Sequence, residues 1–322
     1  MTNLFADNVI SLADRAKNSI AGRLTSMGIL REEGALYDIV KLKDTYTNPI
    51  TGQVEETGRV DLINGDTGEF VSNMSAGYTV VQNAEIFEAM ERQIAASGLD
   101  ITGMEIKVDV GMAGGNVCVQ YIFPAHSVDT SDGDSTSLMI TAINSFNGSS
   151  AFCIYLGGFR GYCMNTQVFG TTIVSYRKQH CRGLSINKAA DVIRNGIDVF
   201  NQEGEVWKRM AKTSVTDETA FRALADFGDV KVNSFDSYSD YQVWADTQRR
   251  TQKLENYMRI FKTYVREMGN TEFALYNTFT HINTHGSAKV GNRKQSVSGF
   301  ETRAKDATKV SQKWLTSYAV AA

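Results

Sequence analysis

Proline is almost missing from this chain: Pro49 and Pro124 are the only two in 322 residues. That excludes a Pro-rich linker or a polyproline segment. Cysteine is scarce too. Cys118, Cys153, Cys163 and Cys181 include no Cys-x-x-Cys pair, so neither a zinc ribbon nor a thioredoxin-like redox site fits. Cys118 and Cys153 fall in apolar, strand-like runs and are expected to be small core residues. No apolar run reaches the roughly 18 residues that a membrane-spanning helix needs. The segment from Met1 to Leu12 lacks a signal-peptide core. No membrane contact and a cytoplasmic location are therefore expected. With only four histidines, scattered along the chain, no Ser/His/Asp or Cys/His constellation can be built. His281 and His285 are spaced one helical turn apart, but Ile282 stands where a zinc protease needs Glu and no third ligand is evident. Gly111 to Gly115 lacks the strand-to-helix setting and the Lys-Ser/Thr of a phosphate loop. No metal or other cofactor is expected, and a binding protein is favoured over an enzyme.

What is present is a normal globular composition, 42% hydrophobic and 21% charged, with 16 Phe, 13 Tyr and 3 Trp. The net charge of −3 hides an asymmetry. Residues 1–150 carry 9 Lys/Arg against 20 Asp/Glu, a balance of −11. Residues 151–248 carry 11 of each, and residues 249–322 carry 13 against 5, a balance of +8. A basic C-terminal quarter on an acidic body points to a surface that attracts phosphates. Solvated helix faces are the alternative reading.

Along the chain, residues 5–28 have the spacing of a leading helix or arm. Residues 35–47 and 54–63 are strand-like, and Asn48-Pro49-Ile50-Thr51-Gly52 between them is turn chemistry. Asn64-Gly65-Asp66-Thr67-Gly68 is a second turn. Tyr78 to Gln82 is short and β-rich. Asn83 is then expected to cap a helix over 84–96 that buries Ile86, Phe87, Met90 and Ile94. Strands are expected at 101–110, 116–123, 138–144 and 151–159, with Ser127 to Ser137 as an exposed loop and Asn147-Gly148 as a hairpin turn. From Ser185, read as a helix cap, the pattern becomes helical. Helices are expected after Ser185, after Thr216, over 240–268 as the longest, over 271–285 and over 300–319. The fold class is α+β: a central antiparallel β-meander with a preceding helix, followed by an all-helical C-terminal half. The expected division is an N-terminal arm and hairpin (1–74), an antiparallel-sheet core (75–184) and a helical region packed on it (185–322).

Four segments carry a family resemblance. They are Tyr78-Thr-Val-Val-Gln-Asn83, Asn144-Ser-Phe-Asn-Gly-Ser149, Phe159-Arg-Gly-Tyr-Cys-Met-Asn165-Thr166, and Thr271-Glu-Phe-Ala-Leu-Tyr-Asn277 with the basic Gly/Ser segment after it. Their order and spacing resemble the phage/plasmid-like family known as bacterial domain of unknown function nine-thirty-two, over roughly residues 75–315. Phe146-Asn147 departs from the His-Asp of many relatives, which removes two groups suited to acid–base or metal chemistry. The resemblance implies a mobile-element context. The order of helix, antiparallel strands and helix is also similar to phage single-strand annealing proteins, by fold analogy.

Three segments are candidates for ligand contact. Around Phe159, Arg160, Tyr162 and Asn165, glycines admit a backbone, an Arg clamps phosphate and aromatic rings stack on bases. A strand-to-turn corner with a buried aromatic is the alternative there. Arg177, Lys178 and Arg182 place three cations at a strand end. Lys289, Arg293 and Lys294 lie in a basic polar segment suited to a phosphate backbone. The expected function is a phage or plasmid single-stranded-DNA-binding protein that assists recombination or annealing as a homo-oligomer. The alternative is a phage accessory protein that binds a host or phage protein partner without catalysis.

Overall fold

A computed structural model of the chain describes residues 9–11, 26–131, 134–160, 165–168, 175–180, 189–248, 252–285 and 309–319. The chain divides into two units. One comprises Met1–His126, Leu138–Leu156 and Thr171–Ile197, the other Ser127–Ser137, Gly157–Gly170 and Asp198–Ala322.

The first unit begins with a short strand, β1 (Val9–Ser11), and helix α1 (Ser26–Glu32). Strand β1 lies antiparallel on a later strand, so part of the segment read as a leading helix is extended. A three-stranded antiparallel sheet follows: β2 (Ile39–Thr47), β3 (Val54–Asn64) and β4 (Phe70–Ser75). Its two turns are built alike. In each, an Asn side chain accepts from the backbone N–H two and three residues on, and the Asn carbonyl accepts from a Gly N–H. The two glycines, Gly52 and Gly68, have φ of +70° and +73°, a conformation that a Cβ disfavours. Asn48 and Asn64 thus set both hairpins by the same Asx chemistry. Strand β4 was not anticipated, because the polar run from Ser72 to Ser75 conceals it. This sheet also carries most of the exposed apolar side chains: Val40, Leu42, Tyr46, Ile50, Val54 and Phe70, with Ile50 92% exposed.

Helix α2 (Asn83–Ala96) buries Ile86, Phe87, Met90 and Ile94, as its 3.6-residue spacing predicts. Then come β5 (Glu105–Val110), a single 3-10 turn (Met112–Gly114), β6 (Asn116–Ser131), β7 (Asp134–Ser145), β8 (Phe152–Arg160), β9 (Asn165–Val168) and β10 (Ser175–Lys178). These strands and β1 form a seven-stranded sheet ordered β1-β5-β6-β7-β8-β10, with β9 also on β8. Strand β7 is central, and residues 138–146 are buried throughout. In the stretch expected to be an exposed loop, Ser127 to Ser137, residues 127–131 instead extend β6 and residues 134–137 extend β7. Val128, Thr130 and Thr136 are buried there. Its Asp and Ser content masks a β-branched alternation that suits a strand.

From Ala189 onward the described residues form helices and one isolated bridge, Ser214 to Thr271. Helices are not confined to this half, since α1 and α2 precede the large sheet. The later helices are α3 (Ala189–Lys212), α4 (Asp217–Phe227), α5 (Tyr238–Asp246), α6 (Lys253–Met268), α7 (Glu272–His285), residues 309–314 and α8 (Thr316–Ala319). The helix expected over 240–268 is two. Asp240 reciprocally caps Ser237, and Glu255 accepts from the Gln252 N–H to start the second. Among the described residues the longest helix is therefore α3. Ser185 lies outside the described residues.

The core of the second unit is aromatic: Trp207, Phe221, Phe261, Phe273 and Phe279 are all fully buried. Gly204 of α3 faces Val128, and a Cβ there would come within 2.6 Å of a Val methyl. Carboxylates pin the C-terminal residues. Glu272 is buried and accepts from Thr316 N at 2.7 Å, Thr316 Oγ1 at 2.6 Å and Ser317 N at 3.1 Å. Asp226 accepts from Lys313 Nζ at 2.7 Å and Trp314 Nε1 at 2.8 Å. Replacing Glu272 by Ala leaves the buried Ser317 N–H and the part-buried Thr316 N–H without their acceptor. It should lower stability by roughly 1.5–3 kcal/mol, with Glu272→Gln costing less. An unchanged midpoint in urea unfolding of Glu272→Ala would show that these bonds contribute nothing.

Candidate functional site

The described site residues expected from sequence fall in two places. In the second unit, Phe159 and Arg160 on β8 pair with Thr166 and Asn165 on β9. Phe159 is 9% exposed, so its ring is a core group with no free face for a base. In the first unit, Arg177 and Lys178 on β10 lie opposite Cys153 and Phe152 of β8 and are exposed. Tyr162, Arg182, Lys289, Arg293 and Lys294 lie outside the described residues. Cys153 is buried, and burial pushes the Cys118 thiol up to about 12, which suits packing rather than reactivity.

Just beyond Lys178, the first unit assembles a cluster. It starts from the strap Tyr78 to Gln82, which sequence propensity read as β. The strap is not a strand. Side chains take over the work of a ladder. Gln82 donates to Ile39 O at 3.0 Å and accepts from Ile39 N at 2.9 Å, pairing with one residue of β2 as a backbone would. Asn83 was expected to cap α2, but Gln82 holds that position. The Asn83 side chain is instead fully buried, donating to Ala35 O at 2.9 Å and accepting from Asn144 Nδ2 at 2.8 Å. Asn144, fully buried on β7, also reaches Val81 O at 3.4 Å.

The strap so held presents Tyr78. Its hydroxyl donates to Ser145 O at 3.0 Å, and burial raises its pKa. Its ring stacks on His180, with centroids 5.3 Å apart and planes 14° from parallel. His180 follows the exposed run Arg177-Lys178-Gln179 and is itself buried, 8% exposed. Among the described residues neither ring nitrogen makes a well-formed hydrogen bond, and the Thr79 backbone acts on the ring against the effect of burial. Phe146 lies against the imidazole at 6.1 Å, and Tyr37 meets Phe146 edge-on at 6.0 Å. Thus Phe146, where many relatives are expected to carry His, is a fully buried packing group. Asn147 accepts from Ser145 Oγ and Ser149 N and shapes the hairpin turn. Lys41 Nζ donates to the carbonyls of Ala76 and Tyr78, both at 2.9 Å, bringing a cation to the strap. In the sequence, Tyr78 opens one of the four family segments and His180 lies between Lys178 and Arg182. No local signal pairs them, because a contact between distant segments is set by the fold.

A family model described as Domain of unknown function (DUF932) matches residues 71–315. The chain belongs to this family. No curated protein and no solved structure matches the chain. The stretch this member shares with DUF932 contains the strap, the 144–149 turn, β10 and His180, and it excludes most of the three-stranded sheet.

Burial lowers the pKa of His180 below its ordinary value. The unfolded chain therefore takes up a proton first as the pH falls. Stability present above the ordinary imidazole range is lost as the pH drops through it. Thermal unfolding should show a Tm that falls between about pH 7.5 and 5.5. The fall should be smaller in His180→Phe, which keeps a flat ring and removes the titrating nitrogens. Identical pH profiles for the two proteins would mean that His180 is not held neutral by the fold.

Proposed function

We propose that this DUF932 member is a phage- or plasmid-borne, cytoplasmic single-stranded-DNA-binding protein that assists recombination or annealing as a homo-oligomer, without a cofactor. The observation that carries the reading is Arg177 and Lys178, exposed on β10. Among the described residues this strand has β8 as its single neighbour in the sheet. Cations on a strand at the edge of the described sheet meet phosphates without reading sequence, and counterion release makes such binding salt-sensitive. The basic quarter beyond residue 249 adds long-range attraction, while the acidic front half sets the pI of 5.9 and limits unspecific adhesion. Among the described residues no helix is long and apolar enough to cross a membrane.

One feature favours the second reading, a phage accessory protein that binds a protein partner. The exposed apolar side chains of the three-stranded sheet are the kind of surface that protein partners cover. An oligonucleotide titration separates the two readings. Fluorescence anisotropy of a labelled single strand should show affinity falling as salt rises. Arg177→Glu/Lys178→Glu should weaken binding and reduce the magnitude of the log–log salt slope by roughly 1–1.5. Absence of binding at low salt would leave the protein-partner reading.

A further inference from the structure

The stack of Tyr78 on His180 has three properties that an ordinary core pair lacks. First, it sits at the end of the edge strand that carries Arg177 and Lys178, beside the exposed residues Ser75, Ala76 and Gly77. Second, it is loosely tied. Of the two partners, Tyr78 is anchored through its hydroxyl to Ser145. A backbone bond from the strap to His180 runs from Thr79 N to His180 O at 3.5 Å, the long limit of such a bond. Third, the closed arrangement leaves both imidazole nitrogens buried without a well-formed hydrogen bond among the described residues. Native structures rarely leave a buried polar side chain unpaired without a functional or strain-related reason. Parting the rings relieves that cost, since the nitrogens then meet water or the oxygens of a bound strand.

Two near-parallel rings are already oriented as a stacking platform for a third. Base–aromatic stacking is how proteins hold unpaired nucleotides without regard to sequence. We propose that Tyr78 and His180 form a slot for one unpaired nucleobase, which enters between their rings while Arg177 and Lys178 hold the neighbouring phosphates. This rests on the nucleic-acid reading above and names the contact that would make it selective for single strands. A base within a duplex is already stacked and paired, so it enters only at the cost of flipping. His180 is the ring that moves, because it ends an edge strand whereas Tyr78 is anchored. Lys41, on the carbonyls of Ala76 and Tyr78, adds positive charge on the strap side.

The test uses the full chain and a single-stranded oligonucleotide carrying one 2-aminopurine, whose fluorescence is quenched by stacking. Binding should quench the probe. Tyr78→Leu and His180→Leu should each weaken binding about 5- to 100-fold and abolish the added quenching. His180→Phe, which returns a flat ring, should restore the quenching. Circular dichroism and Tm identify any variant that has lost its fold, and Tyr78→Trp then replaces it as the stacking-competent comparison. Quenching and affinity unchanged in both Leu variants, with binding still lost in Arg177→Glu/Lys178→Glu, would overturn the slot and leave the electrostatic reading intact. No binding by the unaltered protein would overturn both.

Discussion

Three side-chain amides hold the first unit together where no strand does. Gln82 binds both backbone groups of Ile39, Asn83 binds Ala35, and Asn144 joins Asn83 to the central strand. Through them the three-stranded sheet, α2 and β7 share one set of hydrogen bonds. Buried amides are costly unless paired, and once paired they fix one arrangement. Here they fix a strap that has no ladder of its own. The position of Tyr78, and hence of the aromatic stack, follows from that constraint.

The second unit solves a similar problem with charge. Glu272, Asp226 and Glu218 each accept from residues beyond their own helix, at Thr316 and Ser317, at Lys313 and Trp314, and at Tyr238. Arg222 completes the set by donating to the carbonyls of Val232, Phe235 and Asp236. Carboxylates and a guanidinium thus organise the turns between helices, and aromatic burial fills the space beneath. The polar side chains of both units are placed where the backbone lacks regular partners.

How much of this was legible follows from which interactions are local. The Asn48 and Asn64 turns and the α2 face with Phe87 and Met90 are encoded within a few residues, and the sequence announces them. The split between α5 and α6 was also local, written in Ser237/Asp240 and Gln252/Glu255, but the long apolar spacing on either side outweighed it. Asn83 shows the opposite case. A cap and a buried network residue look the same until Asn144 is placed beside it. The candidate site was legible only in its cations. Arg177 and Lys178 stood out as charge, whereas Phe159, chosen for its aromatic ring, is packed inside. The ring that stacks is His180, and its partner Tyr78 is brought to it by the fold.

The exposed cations of β10 and the Tyr78–His180 pair meet at residues 177–180, where single-strand binding is proposed. Amide hydrogen exchange with and without a saturating single-stranded oligonucleotide tests this most directly, because it reports on every segment at once. The account predicts slowed exchange in 76–82 and 175–180 together, with residues 39–75 unaffected. Bound oligonucleotide that leaves both segments unchanged, or protects the three-stranded sheet instead, would contradict it.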